Sequence, residues 1–196
     1  MRLLATFLSL SFALGLSAQR ITETLTQGWT FHRGDVAGAE AASYDDSQWE
    51  AVSVPHDWAI YGPFSRDNDL QTVAVTQNGE TEATEHTGRT GGLPYVGVGW
   101  YRRDFTVDAA TPGSTRRTIL VFDGAMSQAH VYVNGKEVMF WPYGYNTFYC
   151  DISDALRTDS PQNTLAVRLE NVEQSSRWYC GAGLYRNVHL LQTEAI

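Results

Sequence analysis

The chain has 196 residues and a formal net charge of −8 at pH 7. An acidic chain of this size is a poor partner for nucleic acid or for an anionic membrane surface, because both are negatively charged. Its aromatic content of 12% favours β-strands and a β-sandwich core, although some rings could instead stack on the apolar faces of sugars.

The first eighteen residues have the pattern of a secretory signal peptide. Arg2 supplies a basic start, Leu3 to Leu16 form an apolar stretch, and Ala18 is a small residue at the cleavage position. The stretch is shorter than the roughly 20 apolar residues of a membrane anchor. No second apolar run of membrane length follows. We therefore predict export to the periplasm or the extracellular space, and one mature domain at residues 19–196.

The next part of the chain predicts two strands and a loop. Residues 26–32 alternate so that Trp29 and Phe31 share one face, which indicates a strand. Residues 49–54 indicate a second strand, which Pro55 ends because proline has no N–H for the ladder. Residues 35–47 between them are small and polar, as expected of a loop.

The segment after Pro55 is predicted to be a loop with buried anchors, from His56-Asp57-Trp58 to Gly62-Pro63-Phe64. His56 and Asp57 are neighbours in sequence, so their side chains point in different directions and do not form a catalytic dyad. We expect Asp57 to accept hydrogen bonds within the turn and Trp58 to be buried.

Residues 66–93 have few large apolar side chains and are predicted to be a long loop, with one short strand possible at residues 73–75. Gly91, Gly92, Gly97 and Gly99 then surround residues 93–98. Such glycines permit positive φ and close backbone approach. They indicate either a flexible entry to the next strand or a loop that contacts a ligand.

The clearest strand signals lie between residues 99 and 148. Residues 99–107 alternate as a strand, and residues 118–122 form a short apolar run. The pair Asn134-Gly135 separates two further apolar runs, which predicts a type I′ hairpin joining Ala129–Val133 to Lys136–Phe140. A turn at Asp123-Gly124 should connect residues 118–122 to this hairpin in a meander.

The remaining chain continues the pattern of short strands. Residues 163–169 and 185–191 are predicted strands, and residues 151–156 one helical turn capped by Asp151 or Ser153. Helices of ordinary length are not indicated. Strands at a spacing of about ten residues, with turns between them, predict an all-β sandwich.

The two cysteines, Cys150 and Cys180, leave two alternatives open: a disulfide formed after export, or two free thiols. The histidines are scattered, and their spacing with the cysteines does not match a zinc site. We expect neither a metal nor a cofactor.

Several motifs stand in an order that resembles glycoside hydrolase family 2, specifically the N-terminal sugar-binding domain of its β-galactosidases, β-glucuronidases and β-mannosidases. They cover nearly the whole mature chain. The motifs are Trp29-Thr30-Phe31, Val54-Pro55-His56-Asp57-Trp58, Gly99-Trp100-Tyr101-Arg102, Phe122-Asp123-Gly124, Val131-Tyr132-Val133-Asn134-Gly135, Gly144-Tyr145 and Gly181-Ala182-Gly183-Leu184-Tyr185-Arg186.

The resemblance implies a jelly-roll-like β-sandwich of the galactose-binding-domain type. In complete members an immunoglobulin-like domain and a TIM barrel follow, and the barrel carries both catalytic carboxylates of a retaining mechanism. A barrel takes about 250 residues, so this chain cannot contain it. We therefore expect no catalytic residue and no intrinsic hydrolase activity here.

The resemblance also implies which residues face the sugar. The family's domain lends loops to the rim of the active site, and the best matching loop here holds Ser176, Arg177, Trp178 and Tyr179. Some β-galactosidases have an aspartate close to the position of Ser176, so that contact is changed here. Arg177 could bind hydroxyl groups and Trp178 could stack on a sugar ring, or Trp178 and Tyr179 could anchor the turn in the core. Tyr95 is a second candidate.

The competing enzyme hypothesis is that the chain itself acts as a glycosidase, which turnover of a chromogenic β-galactoside would show. Without catalysis, two functions follow as alternatives. The first is the non-catalytic carbohydrate-binding domain of an exported, β-galactosidase-like glycosidase, acting on a β-galactoside together with the missing barrel. The second is a structural or interaction module that binds no sugar of its own. In the isolated carbohydrate-binding domain, the face that would meet the barrel should include exposed apolar residues that favour association.

Overall fold

The structure is a computed structural model that describes residues 20–68, 70–87, 94–107, 116–172 and 181–193. Within these ranges it contains twelve strands and three short 3₁₀ turns. The strands are β1 (Ile21–Thr24), β2 (Trp29–Arg33), β3 (Glu50–Val52), β4 (Leu70–Val73), β5 (Thr84–Thr87), β6 (Gly97–Thr106), β7 (Arg117–Phe122), β8 (Ala129–Val133), β9 (Lys136–Trp141), β10 (Phe148–Asp151), β11 (Gln162–Asn171) and β12 (Val188–Thr193); the turns are Trp58–Ile60, Thr76–Asn78 and Ser153–Ala155.

Two antiparallel sheets form the predicted jelly-roll-like β-sandwich. One sheet has four strands in the order β1-β12-β7-β10, and the other has six in the order β3-β2-β6-β11-β8-β9. Strands β4 and β5 form a separate two-stranded ribbon. The all-β fold class is therefore confirmed, and no helix in the described ranges is long and apolar enough to span a membrane.

The core lies between the two sheets and follows the period of two along each strand. Strand β7 buries Leu120 and Phe122, and the ring of Phe122 stacks on Phe148 of β10 with 4.7 Å between centroids. From the six-stranded sheet, Trp29 and Tyr101 fill the facing layer, and both are almost fully buried. Because aromatic and branched side chains occupy alternate positions, one face of each sheet is apolar and the sheets pack through it.

The outer face of the six-stranded sheet is also partly covered. Trp100 and Arg102 point away from the core, yet each is only 3% exposed. Residues 35–49 fold back over this face, where Ala39 packs against Trp100 and Ala166 in a second small apolar cluster. The loop predicted at residues 35–47 is thus a cover for one end of the sheet.

The hairpin prediction is confirmed. Strands β8 and β9 pair across Asn134 and Gly135, which have φ values of 52° and 85°. Positive φ at both central residues is the signature of the type I′ turn. The meander prediction is wrong, however, because β7 belongs to the four-stranded sheet and β8 to the six-stranded one. The chain crosses from one sheet to the other after Asp123-Gly124.

Two further sequence predictions need correction, and one strand has no counterpart among the predictions. Strand β1 was not predicted, because its four residues are all exposed and show no alternation. Residues 66–93 are not one loop, since they contain the β4–β5 ribbon. The helical turn near residue 151 exists as Ser153–Ala155, but Ile152 occupies its cap position, while Oδ1 of Asp151 accepts the N–H of Ser153 at 2.9 Å.

Cys150 is a free and buried thiol on β10. Burial raises its pKa to about 12, and the neighbouring carboxylate of Asp151 adds to the rise. Cys180 lies outside the described residues.

Candidate functional site

Three segments meet at one end of the sandwich, and we call this end the rim: residues 55–64, residues 94–97 and residues 181–184. The register of the strands explains why these three segments lie together. Gly97 begins β6 opposite Asn171, the last residue of β11, while Arg33 at the end of β2 pairs with Gly99. Loops that leave these strand ends therefore emerge on the same side of the molecule.

Asp57 ties two of the three rim segments together. Its Oδ1 accepts hydrogen bonds from the backbone N–H groups of Ala59 and Ala182, both at 2.9 Å. The main chain adds bonds from His56 N to Leu184 O and from Trp58 N to Ala182 O. Trp58 is 1% exposed. The prediction of a structural Asp57 and a buried Trp58 is confirmed.

His56 is held beneath the rim by Tyr101. The His56 Nδ1 lies 2.7 Å from the hydroxyl oxygen of Tyr101, which is itself fully buried. Burial lowers the pKa of His56, and the carboxylates of Glu50 and Asp57 partly oppose this effect. Gly183 passes so close to the Tyr101 hydroxyl that a side chain there would collide with it. The ring of His56 is therefore a fixed support, and its burial disfavours the protonated form.

Tyr95 lies at the rim but is held by other protein groups. Its carbonyl accepts the indole N–H of Trp58 at 3.3 Å, and the guanidinium of Arg33 lies 5.4 Å from its ring centroid. Its hydroxyl end folds over Gly97, where a Cβ would lie only 2.6 Å from the hydroxyl oxygen, so the absence of a side chain leaves room for it. Sugar binding by Tyr95 stays a prediction.

The prediction of a loop with buried anchors holds for Trp58 but not for the apolar side chains that follow it, which are exposed. Ile60 is 63% exposed, Tyr61 74% and Phe64 56%. The anchors are Trp58, as predicted, and Ala59. After Ala59 the chain leaves the core, and no described layer of the domain covers the apolar side chains that follow.

Tyr61 borders an open cleft of about 310 Å³. Its ring stacks on His56 with 6.1 Å between centroids and 16° between planes. The cleft is lined by Glu50, Val52, Ser53, Pro55, His56 and Tyr61. An exposed aromatic ring beside a carboxylate and a hydroxyl can stack on one face of a sugar and hydrogen-bond its hydroxyl groups.

Four predicted sugar-contacting residues, Ser176, Arg177, Trp178 and Tyr179, lie outside the described residues. The described residues on either side of this segment, which include Asn171 and Gly181, lie at the rim. The side-chain Nδ2 of Asn171 donates to the carbonyl of Gly181 at 3.3 Å, and Asn171 is 5% exposed. The chain therefore leaves and re-enters the described structure beside Asp57 and Trp58.

Metal ligation is not indicated by the described part of the chain, in which no group of three His, Cys, Asp or Glu side chains could hold an ion. Asp57, the buried acid of the rim, already binds two backbone amides. What the rim and its cleft offer is a surface for recognition: the aromatic ring of Tyr61, the imidazole of His56 and the neighbouring carboxylate of Glu50.

Sequence reasoning missed Tyr61 and Glu50 as residues of the cleft at the rim. One signal was available for Tyr61, because it directly precedes Gly62-Pro63, and a tight turn places its neighbours at the surface. Glu50 had no such signal, since its place in the cleft depends on the pairing of β3 with β2.

Comparisons with known proteins agree with one another. The family model described as the sugar binding domain of glycosyl hydrolases family 2 matches residues 23–194. A beta-galactosidase of Bacteroides ovatus is 41% identical over 169 residues, which are 86% of this chain and 18% of that enzyme. A putative beta-glucuronidase of Formosa agariphila is 35% identical over 176 residues, 89% of this chain and 15% of that protein.

Solved structures give the same result. A family 2 glycosyl hydrolase of Bacteroides cellulosilyticus matches with a TM-score of 0.72 and 35% identity, covering 88% of this chain and 20% of the other. A beta-glycosidase of Bacteroides vulgatus matches with a TM-score of 0.70 and 32% identity, covering 89% of this chain and 20% of the other. The chain thus spans a fifth or less of these relatives.

Proposed function

We propose that this chain serves as the N-terminal carbohydrate-binding domain of an exported, β-galactosidase-like glycosidase. The premise is that the chain belongs to the sugar-binding domain family of the family 2 glycosyl hydrolases. In this role it catalyses nothing itself. It packs on a catalytic barrel and supplies one wall of the sugar site. The relative with 41% identity is a beta-galactosidase, which favours a β-galactoside as the substrate of the assembled enzyme.

The observation that carries the proposal is the exposure of Tyr61 above His56, beside the cleft that holds Glu50. The ring of Tyr61 packs against His56 on one side and is exposed to solvent, as expected of a ring that stacks on a sugar. The apolar side chains of Ile60 and Phe64 lie in the same loop and suit packing against another protein layer.

The isolated chain should bind simple sugars weakly. The rim forms one wall of a pocket, and a half-site loses most contacts while the entropic cost of holding the ligand remains. We expect millimolar or undetectable affinity for galactose, glucuronate and mannose, where millimolar corresponds to about −4 kcal/mol. Calorimetry on the purified chain measures this, and a chromogenic β-galactoside should show no turnover. A low micromolar dissociation constant that Trp178→Ala abolishes would contradict the half-site proposal.

A domain exchange tests the function directly. The matching region of the Bacteroides ovatus beta-galactosidase is replaced by this chain, and turnover of a chromogenic β-galactoside is compared with that of the intact enzyme. We expect an active chimera, since this chain supplies the missing wall. A soluble, folded chimera without activity would contradict the proposed role.

Matched variants of the chimera separate sugar contact from packing. Tyr61→Ala should raise KM because it removes the stacking ring. Tyr143→Ala is the control, since Tyr143 is also an exposed tyrosine, at 53%, but does not line the cleft. Unchanged KM in both variants, with loss of stability in Ile60→Ser, would favour the alternative of a purely structural module.

Export is a separate proposal that rests on the first eighteen residues, with Arg2 before an apolar stretch that ends at Ala18. Expression of the full chain in a Gram-negative host followed by intact-mass analysis tests it. We expect a mature N-terminus at Gln19 in the periplasmic or extracellular fraction. Recovery of the uncleaved chain in the cytoplasm would contradict export.

A further inference from the structure

We propose that the domain has an additional binding site, for neutral oligosaccharides, in a cleft on the outer face of the six-stranded sheet. This site goes beyond the proposed function, because it shares no lining residue with the cleft at the rim.

The cleft has a volume of about 430 Å³ and lies between the sheet and the segment that covers it. Thr30, Arg102, Asp104 and Thr164 come from the neighbouring strands β2, β6 and β11, and alternate with the core residues of those strands. Tyr44 and Asp46 come from the covering segment. A volume of this size accommodates a small ligand, since ligand pockets span about 300–1,000 Å³.

Arg102 makes the cleft rigid. Its Nη1 donates to the carbonyls of Ala39 and Ala41, and its Nη2 to the carbonyl of Tyr44 at 3.4 Å. The guanidinium also lies 5.4 Å from the ring centroid of Tyr44 and 3.3 Å, by its Nε, from Oδ2 of Asp46. One buried arginine thus fixes both the aromatic and the acidic wall before any ligand arrives, which lowers the ordering cost of binding.

The carboxylate of Asp46 keeps accepting capacity. Its Oδ2 accepts the hydroxyl of Thr30 at 2.6 Å in addition to the ion pair with Arg102. Among the described residues, Oδ1 of Asp46 receives no hydrogen bond, although Asp46 borders the cleft. Across the cleft, Asp104 accepts the Thr164 hydroxyl at 2.8 Å, and each carboxylate oxygen has further lone pairs.

These groups define the class of ligand. Each guanidinium is already paired with a carboxylate of the domain, Arg102 with Asp46 at 3.3 Å and Arg103 with Glu23 at 3.5 Å, and Nη1 of Arg103 donates to Gln27 O at 2.6 Å. An anionic ligand would therefore meet two carboxylates without free cations to balance them. A ligand with many hydroxyl donors can hydrogen-bond Asp46 and Asp104 and place a face against Tyr44. Neutral sugars have this chemistry.

The test uses the full chain and amide-resolved NMR, with lactose and cellobiose as neutral probes, sodium glucuronate as an anionic probe and lysine as a cationic one. We expect the neutral disaccharides to shift the amides of Thr30, Tyr44, Asp46, Asp104 and Thr164. Absence of shifts in this cleft with both disaccharides would overturn the proposal. So would shifts that only glucuronate or only lysine produces.

Variants of residues that line the cleft test whether the disaccharides bind there. Asp46→Asn should weaken binding of the disaccharide by about tenfold, since it removes a charged acceptor, and Thr164→Val should also weaken it. Asp154→Asn is the matched control, because Asp154 is exposed and lies outside the cleft. Thermal unfolding shows whether each variant is folded. If Asp46→Asn does not fold, the result for Thr164→Val tests the site instead. Binding that is unchanged in folded variants would overturn the site.

Discussion

Oδ1 of Asp57 accepts the backbone N–H of Ala182 at 2.9 Å, across 125 positions of sequence. The same oxygen accepts the N–H of Ala59. One buried carboxylate therefore joins the loop after β3 to the segment that precedes β12. It acts as a structural clamp beneath the exposed loop of Tyr61.

Removing this clamp should destabilise the domain. We expect Asp57→Ala to lower the free energy of unfolding by about 2–4 kcal/mol, because two buried N–H groups lose their acceptor. Asp57→Asn keeps an oxygen at that position and should cost less. Urea unfolding followed by tryptophan fluorescence gives both values. Asp159→Ala is the control, since Asp159 is exposed and pairs only locally with Arg157. Equal stability of Asp57→Ala and the control would refute the clamp.

The β8–β9 turn provides a second stability test. Gly135 has a φ of 85°, and a Cβ there would meet nothing closer than 3.7 Å. A substitution is therefore penalised by backbone strain alone. Gly135→Val should cost about 1–2 kcal/mol, whereas Gly135→Asn should cost less, because asparagine tolerates left-handed φ. Thermal melts compare the two, and unchanged stability in the valine variant would mean that this turn tolerates any residue.

Stability should fall as the pH drops below the ordinary pKa of histidine. Burial lowers the pKa of His56 in the folded state below its value of 6.5 in the unfolded chain. Between these two pKa values the unfolded state binds the extra proton, so unfolding is favoured as pH decreases. Well above pH 6.5, where neither state binds the proton, this contribution is constant. The free energy of unfolding should therefore decrease from pH 7 towards pH 5.

The variant His56→Gln isolates this effect. It should be less stable at pH 7, because it loses the contact with Tyr101, but its stability should depend less on pH over the same range. Urea titrations at several pH values give the two slopes. If the slope of the variant equals that of the parent chain, His56 is not the group responsible.

Local sequence was enough to predict some elements of this fold, but others depend on contacts between distant parts of the chain. The β8–β9 hairpin was predictable because Asn134-Gly135 by itself specifies the turn. The sheet to which β7 belongs was not, because a period of two says which residues share a face but not which strands pair. The burial of Trp100 and Arg102 on the outer face was likewise hidden, since residues 35–49 produce it from far away in sequence.

The same distinction applies to the sites. Asp57 and Trp58 were predicted correctly, because an aspartate in a turn commonly accepts nearby backbone N–H groups and a tryptophan side chain is usually largely buried. The cleft of Asp46 and Asp104 was not predicted, because those acids meet only through the register of β6 and β11 and the fold of the covering segment. Ser176, Arg177, Trp178 and Tyr179 stay a prediction.

Cys150 should be chemically inert in the folded protein. Its pKa of about 12 and its 3% exposure leave almost no accessible thiolate near neutral pH. In a Cys180→Ser variant, a disulfide exchange reagent should therefore detect no thiol in the native state and one after unfolding in urea. Rapid labelling of the native variant would show that β10 opens or that Cys150 is less buried.

The exposed loop of the rim should cause the isolated chain to associate. Ile60 and Phe64 are 63% and 56% exposed, and neighbouring apolar side chains at a surface mark contacts with another protein. In a longer enzyme we propose that the barrel covers them. In the isolated chain a second copy takes that place, so sedimentation velocity should show a larger species as concentration rises.

The double variant Ile60→Ser/Phe64→Ser should remain monomeric over the same range, because burial of its loop no longer removes apolar area from water. Val73→Ser is the control, since Val73 is an exposed apolar residue of the β4–β5 ribbon. If this control abolished association and the double variant did not, the ribbon and not the rim would be the contact surface.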